Sequence, residues 1–181
     1  VLIGLEIDGT CQVGVAHFPA MRETLSAASG MGCWWNECQA RVSSIKNIAD
    51  SLMSNGSADA FERSGDMDVL ESLQQATLSK AGWAGSYGYL MVATGRADLM
   101  INPKMKVWDC GPYPVIFQEA GGYFGDWKGN ATHHCEKSLA TNSALLAQAL
   151  EVISRKHFHE LSDSGSLQPV PVDWQSINMD V

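Results

Sequence analysis

Asp8-Gly9 lies between two apolar runs, Leu2-Ile3-Gly4-Leu5 and Val13-Gly14-Val15-Ala16, and no other local feature constrains the fold as much. A tight two-residue turn between paired strands needs backbone in the left-handed region, and Asp-Gly adopts it at low cost. The chain must therefore open with an antiparallel hairpin. A further strand over 23–28 continues the sheet, and Gly30, Gly32 and Asn36 mark a turn. Trp34 and Trp35 beside that turn are expected to pack.

The pattern then changes. From Arg41 to Gly65 it is irregular, with a short strand expected over 48–53. A helix is expected from Asp66 to about Lys80, burying Val69, Leu70, Leu73 and Leu78 and ending at Gly82. Tyr87 to Thr94 reads as a short buried helix capped by Gly95, and Leu99-Met100-Ile101 as a strand. Another strand falls at 122–127. Asn142 or Ser143 caps a last helix with Leu145, Leu146, Ala149, Leu150 and Ile153 on one face. One domain is expected over 1–158, followed by a mobile polar tail over 159–181. No internal repeat is visible.

The formal net charge of −8, from 20 acidic and 12 basic residues, argues against nucleic-acid binding. Hydrophobic residues make up 45%, and no apolar run is long enough to cross a bilayer, so no membrane role is expected. The first 18 residues lack a basic leader, and the five cysteines show no paired spacing. A cytoplasmic location with reduced thiols is the expectation. Cys33, Cys38 and the His133-His134-Cys135 run match no common zinc spacing, so zinc is not expected there.

The stretch Val107-Trp108-Asp109-Cys110-Gly111, running on to Glu119-Ala120-Gly121-Gly122, places a carboxylate at a helix entrance. Pro112 suits a first helical turn, and the glycine pair stops the helix. Asp109 then reads either as an N-cap or as a carboxylate kept ionised by the helix dipole and able to hold a cation.

Three segments occur in one register: GSYGYLMVATGRAD over 85–98, Trp108-Asp109, and EAGG followed by DWKG over 119–129. Together they resemble the inositol monophosphatase family, and within it the histidinol-phosphate phosphatase branch. The YGYLMVATGRA run, DWKGN and Ala140-Thr141-Asn142 carry the resemblance to that branch.

The resemblance implies an α/β fold arranged as an α+β layered sandwich, here the C-terminal part of that family's phosphatase fold, and magnesium-dependent hydrolysis of a small phosphorylated alcohol. Clustered carboxylates in such enzymes hold Mg2+, which neutralises the phosphate, activates water and steadies the leaving oxygen. The resemblance makes Asp109 a metal ligand and Ser86 and Asn102 substrate-side residues. It also implies a possible homodimer. Two acidic family motifs, GGEEE-like and DPIDGT, have no counterpart. Glu6-Ile7-Asp8-Gly9-Thr10 imitates the second, but its flanking strands make it a hairpin turn. No complete catalytic set is therefore expected in this chain, which reads as a family member beginning partway in. One carboxylate should bind magnesium weakly.

Gly85-Ser86 stands where the histidinol-phosphate branch has an aspartate before a cysteine. Asn102, seven residues before Asp109, stands where the family places an acid. An amide there still hydrogen-bonds but does not attract a cationic amine. Histidinol phosphate, inositol phosphate and a non-catalytic remnant with a subunit-contact role all stay open. Arg96 and Asp98 read as a structural turn pair, Glu119 as a partner for neighbouring backbone, and Asp126 and Lys128 as a turn.

Overall fold

The computed structural model describes residues 1–83 and 85–163, with side chains to Arg155. The opening hairpin is present: β1 (Leu2–Ile7) pairs antiparallel with β2 (Thr10–Phe18), and Ile7 faces Thr10 across the turn. Asp8 and Gly9 take φ of 50° and 79°, the left-handed backbone that such a turn demands. β3 (Glu23–Ala28), β4 (Cys33–Trp35) and β5 (Cys38–Gln39) extend this into a five-stranded antiparallel meander.

A second five-stranded sheet follows, in the order β7-β6-β8-β10-β9. β6 (Leu52–Asn55) runs parallel to both β7 (Ser79–Ala81) and β8 (Leu99–Asn102). β10 (Ser138–Asn142) is antiparallel to β8 and to β9 (Gly122–Asp126). The helices are α1 (Ala58–Ser64), α2 (Met67–Ala76), α3 (Ser86–Ala93), α4 (Val107–Cys110), α5 (Tyr113–Glu119) and α6 (Ser143–Asp163).

Two apolar cores separate the layers. Leu25, Leu90, Val92, Ile116, Phe117, Met100 and Phe124 share one core, so α3 and α5 lie between the sheets. Phe61, Leu70, Leu73, Leu150, Leu99, Ile101 and Leu139 share the other, with α1, α2 and α6 over the far face of the second sheet. Alternate residues of β8 thus enter opposite cores, which explains why its run is apolar without a break. The layered sandwich expected from the sequence is the observed architecture.

Several local expectations are corrected. The helix from 66 stops at Ala76, because Thr77 turns extended (ψ 151°) and Ser79–Ala81 joins the sheet as β7. Leu78 is consequently 74% exposed, and Gly82 ends nothing. The strand expected over 48–53 is Leu52–Asn55, preceded by a 3-10 turn over Ile48–Asp50. Helix α1 was not expected. Its signals are Ser57, whose Oγ accepts the Ala60 N–H, and the left-handed Gly65 (φ 76°). With only Phe61 buried, seven residues offer no visible period. Trp35 packs, but Trp34 is 42% exposed. Asn142 caps the last helix by accepting the Leu145 N–H at 2.9 Å. That helix continues through Asp163, past the expected start of the tail; residues 164–181 lie outside the described residues.

Candidate active-site region around Asp109

Asp109 is held by the hairpin. Gly4 and Gly14 face each other across β1 and β2, and both lie against the chain that joins α4 to α5. A Cβ on Gly14 would come within 2.3 Å of the Pro112 carbonyl oxygen, and one on Gly4 within 2.7 Å of Gly111 backbone. No side chain fits in either gap, so two glycines let sheet and helix backbones touch. The Cys11 thiol adds a hydrogen bond to the Gly111 carbonyl at 3.0 Å. The segment that mimics an acidic motif therefore serves as the seat for the segment that carries Asp109.

Asp109 is not an N-cap. The expected single helix is split into α4 and α5 at Gly111-Pro112, and the N-cap of α4 is Lys106. Asp109 occupies the third position of α4, and its Oδ2 accepts the Lys106 N–H at 3.2 Å. A carboxylate there satisfies one orphan donor of the helix start. Its other oxygen is the group available to a cation.

The remaining expected residues fall on neighbouring elements. The Ser86 carbonyl accepts the Tyr113 hydroxyl at 3.1 Å, which ties the start of α3 to the start of α5. Met100 packs closely on Gly88, where a Cβ would lie 2.6 Å from its sulfur, so α3 and β8 are in direct contact. Asn102 ends β8 beside Gly56, at the carboxyl ends of two parallel strands. In open α/β sheets such ends favour ligand crevices. Its Oδ1 accepts the Lys104 N–H at 3.3 Å, and the residue is only 8% exposed, so the amide also serves the local turn.

The other polar residues are structural. Arg96 and Asp98 do not pair with each other. Arg96 bonds Glu23 at 2.7 Å and lies over the Trp35 ring, whereas Asp98 accepts the Leu52 N–H at 2.6 Å. Burial pushes the Glu23 carboxyl up. The hydrogen bonds of Arg96, Tyr87 and Trp35 together outweigh it, leaving the group below its ordinary value. Glu119 holds the Gly30 and Gly32 N–H groups at 2.8 and 2.7 Å, a turn distant in sequence rather than adjacent backbone. Asp126 closes its own turn on Lys128 and Asn130.

Among the described residues the cysteines join no group of three or more ligating atoms close enough to share an ion. Cys33 is buried and Cys38 exposed in the first sheet, and Cys135 lies 3.9 Å from Cys110. Burial raises the Cys33 thiol to about 12, which keeps it protonated and unreactive. The Cys110 thiol is pushed up by its hydrogen bond to Cys135, then by burial and the nearby Asp109 charge.

Asp109 alone does not fit magnesium, which needs several oxygen ligands. Among the described residues it belongs to no group of three or more His, Cys, Asp or Glu ligand atoms close enough to share an ion. Asp8 does not join it, being exposed at the hairpin tip. Among the described residues one cluster of ligating groups exists, and no sequence motif announces it. His133 Nε2 lies 2.6 Å from the Glu6 carboxylate, and His134 Nε2 lies 3.8 Å from the same oxygen. Glu6 and His133 are 127 residues apart, a separation that no spacing rule could bridge.

A sequence profile described as the inositol monophosphatase family matches residues 1–164. The chain belongs to that family. A histidinol-phosphatase of Chlorobaculum parvum is 34% identical over 130 residues, covering 71% of this chain and 50% of the relative. A fructose-1,6-bisphosphatase/inositol-1-monophosphatase of Thermotoga maritima is 28% identical, covering 77% of this chain and 53% of its own length. A solved inositol monophosphatase/NADP phosphatase, complexed with Mg2+ and phosphate, superposes with a TM-score of 0.73. It is 18% identical over 83% of this chain and 57% of its own, a likeness of fold. The chain thus spans about half the length of the curated relatives it matches. The family and these relatives are phosphatases; their names do not fix one substrate for this chain. Among the described residues no helix is long and apolar enough to cross a membrane.

Proposed function

We propose that this chain carries the C-terminal wall of a magnesium-dependent phosphomonoester hydrolase, acting on a small phosphorylated alcohol of the histidinol-phosphate type. The observation that carries this reading is Asp109, fixed at the start of α4 by Lys106 and by the glycine seat of the hairpin. A ligand held this firmly costs little further ordering when an ion binds. Ser86 and Asn102, on the adjoining α3 and β8, are the substrate-side residues of the proposal. The Chlorobaculum parvum relative, 34% identical, is named a histidinol-phosphatase, which favours that substrate. The amide at Asn102 favours an uncharged polyol such as inositol phosphate as the alternative, because it gives no electrostatic pull on an amine.

A non-catalytic role, limited to subunit contact, is favoured by one observation: Asp109 has no cluster of ligating groups around it among the described residues. Magnesium binding by this chain alone would need acids that the described fold does not gather at Asp109.

Phosphate release from histidinol phosphate and from inositol monophosphate, with and without magnesium, separates these readings. Magnesium-dependent release that Asp109→Asn abolishes supports the hydrolase, and the faster of the two substrates names the branch. Equal background release by wild type and Asp109→Asn at every magnesium concentration would leave the non-catalytic role.

A further inference from the structure

We propose that Glu6, His133 and His134 form a binding site for a zinc-class divalent cation, separate from Asp109 and independent of any phosphatase activity. The three side chains come from the end of β1 and from the loop between β9 and β10. Their ligand atoms all lie within 4.8 Å of one another, and both imidazole Nε2 atoms approach the same Glu6 oxygen. Consecutive residues seldom aim their side chains at one point. Here the chain bends at 133 and the His134 N–H is held by the Thr132 hydroxyl at 3.0 Å, which brings the two rings to 4.1 Å between centroids.

Distances suit an ion of this class. Tetrahedral zinc with bonds of about 2.0–2.1 Å places its ligand atoms roughly 3.4 Å apart. The observed 2.6 and 3.8 Å bracket that spacing. Two imidazoles and one carboxylate are the donors of open zinc sites, which leave a fourth position to water or a ligand. Magnesium prefers an all-oxygen shell and is disfavoured.

The surroundings supply rigidity and access. His133 is 6% exposed, whereas Glu6 and His134 reach solvent, so one ligand is anchored and two stay adjustable. Glu6 and His133 line a cavity of about 400 Å3, together with Cys11, Val107, Trp108 and Gly111. A second cavity of about 740 Å3 is lined by His133 and His134 from the other side. An ion here would sit between two open spaces and pin the first strand to the 130–137 loop.

The test is titration of the full chain with zinc chloride against a chromophoric chelator, repeated for Glu6→Gln and His134→Ala. Both substitutions fall on exposed side chains, and thermal melting checks that each variant is folded. The expected result is one zinc equivalent per chain, weakened about tenfold or more in each variant, with magnesium failing to compete. Cobalt(II) substitution provides a second readout. A spectrum with ligand-field bands and no thiolate charge-transfer band places the ion on nitrogen and oxygen ligands. Absence of zinc binding, an affinity unchanged in both variants, or a thiolate charge-transfer band would overturn the proposal. The first of these would leave the cluster as a hydrogen-bonded contact between strand and loop.

Discussion

The two sheets are covered differently. The second sheet has helices on both faces: α3 and α5 on one, α1, α2 and α6 on the other. The first sheet is covered on one face only. On the other, Ile3, Leu5 and Ile7 of β1 are 57%, 50% and 52% exposed. β1 is also an edge strand, with one row of backbone donors and acceptors unpaired by the sheet. Alternation along a strand therefore does not by itself reveal which face is buried. In β1, Ile3, Leu5 and Ile7 point outward, whereas Leu2 packs on the core and Gly4 faces inward with no side chain because a helix backbone already fills that space.

Truncations of equal chemistry on the two sides should expose this difference most sharply. Leu73→Ala removes a fully buried side chain beneath the second sheet and should cost about 3 kcal/mol. Leu5→Ala on the open face should cost less than about 0.5 kcal/mol. Urea denaturation of both variants measures the contrast, and equal losses would mean that the face of β1 is covered in solution.

Gly14→Ala comes next. Its new methyl would collide with the Pro112 carbonyl, a backbone atom that cannot rotate away, at a cost of about 2 kcal/mol. The same variant should weaken any cation binding at Asp109, whereas Gly9→Asn at the open turn should leave both properties nearly unchanged. Thermal melting with and without magnesium reads both effects.

Glu23→Gln tests the covered face of the first sheet. Loss of a charged acceptor shared by Arg96, Tyr87 and Trp35 should cost about 1.5 kcal/mol at neutral pH. Because the folded carboxyl lies below its ordinary value, its stabilisation is full above the unfolded carboxylate value and fades as pH falls through the folded one. The gap between wild-type and variant melting temperatures should therefore narrow on acidification. A gap constant across the acidic range would show that charge plays no part.

The smallest free-energy effect belongs to the open face. Replacing Ile3, Leu5 and Ile7 by threonine should barely change chain stability, since threonine keeps strand propensity and these positions are half exposed. It should reduce self-association seen by sedimentation velocity, because contiguous exposed apolar surface on an edge strand invites pairing. The expected homodimer is probed by the same measurement: a wild-type dimer lost in the variant would locate its contact on this face.

Local chemistry made much of the fold readable. Asp8-Gly9 announced its hairpin because few dipeptides tolerate two left-handed residues in a row. Ala144 to Ile153 announced a helix through its apolar stripe and Asn142 cap. The 66–80 segment shows where such reasoning fails. Leu78 fits the helical period, yet pairing of Ser79–Ala81 with β6 ended the helix two residues earlier, and that contact lies outside any local window. The site divides in the same way. Asp109 was legible through its motif, but its hydrogen bond to the Lys106 N–H and its glycine seat were not.

What the sequence determined alone is local: turn chemistry, helix stripes, and the run of motifs that places the chain in its family. Backbone sterics and hydrophobic period act over a few residues, so they can be read in order along the chain. Only the tertiary structure decided which face of the first sheet stays open, that Gly4 and Gly14 receive the Asp109 segment, and that Glu6 meets His133 and His134. Those outcomes depend on layers packing against one another at close range, and that packing joins residues whose separation in sequence carries no signal.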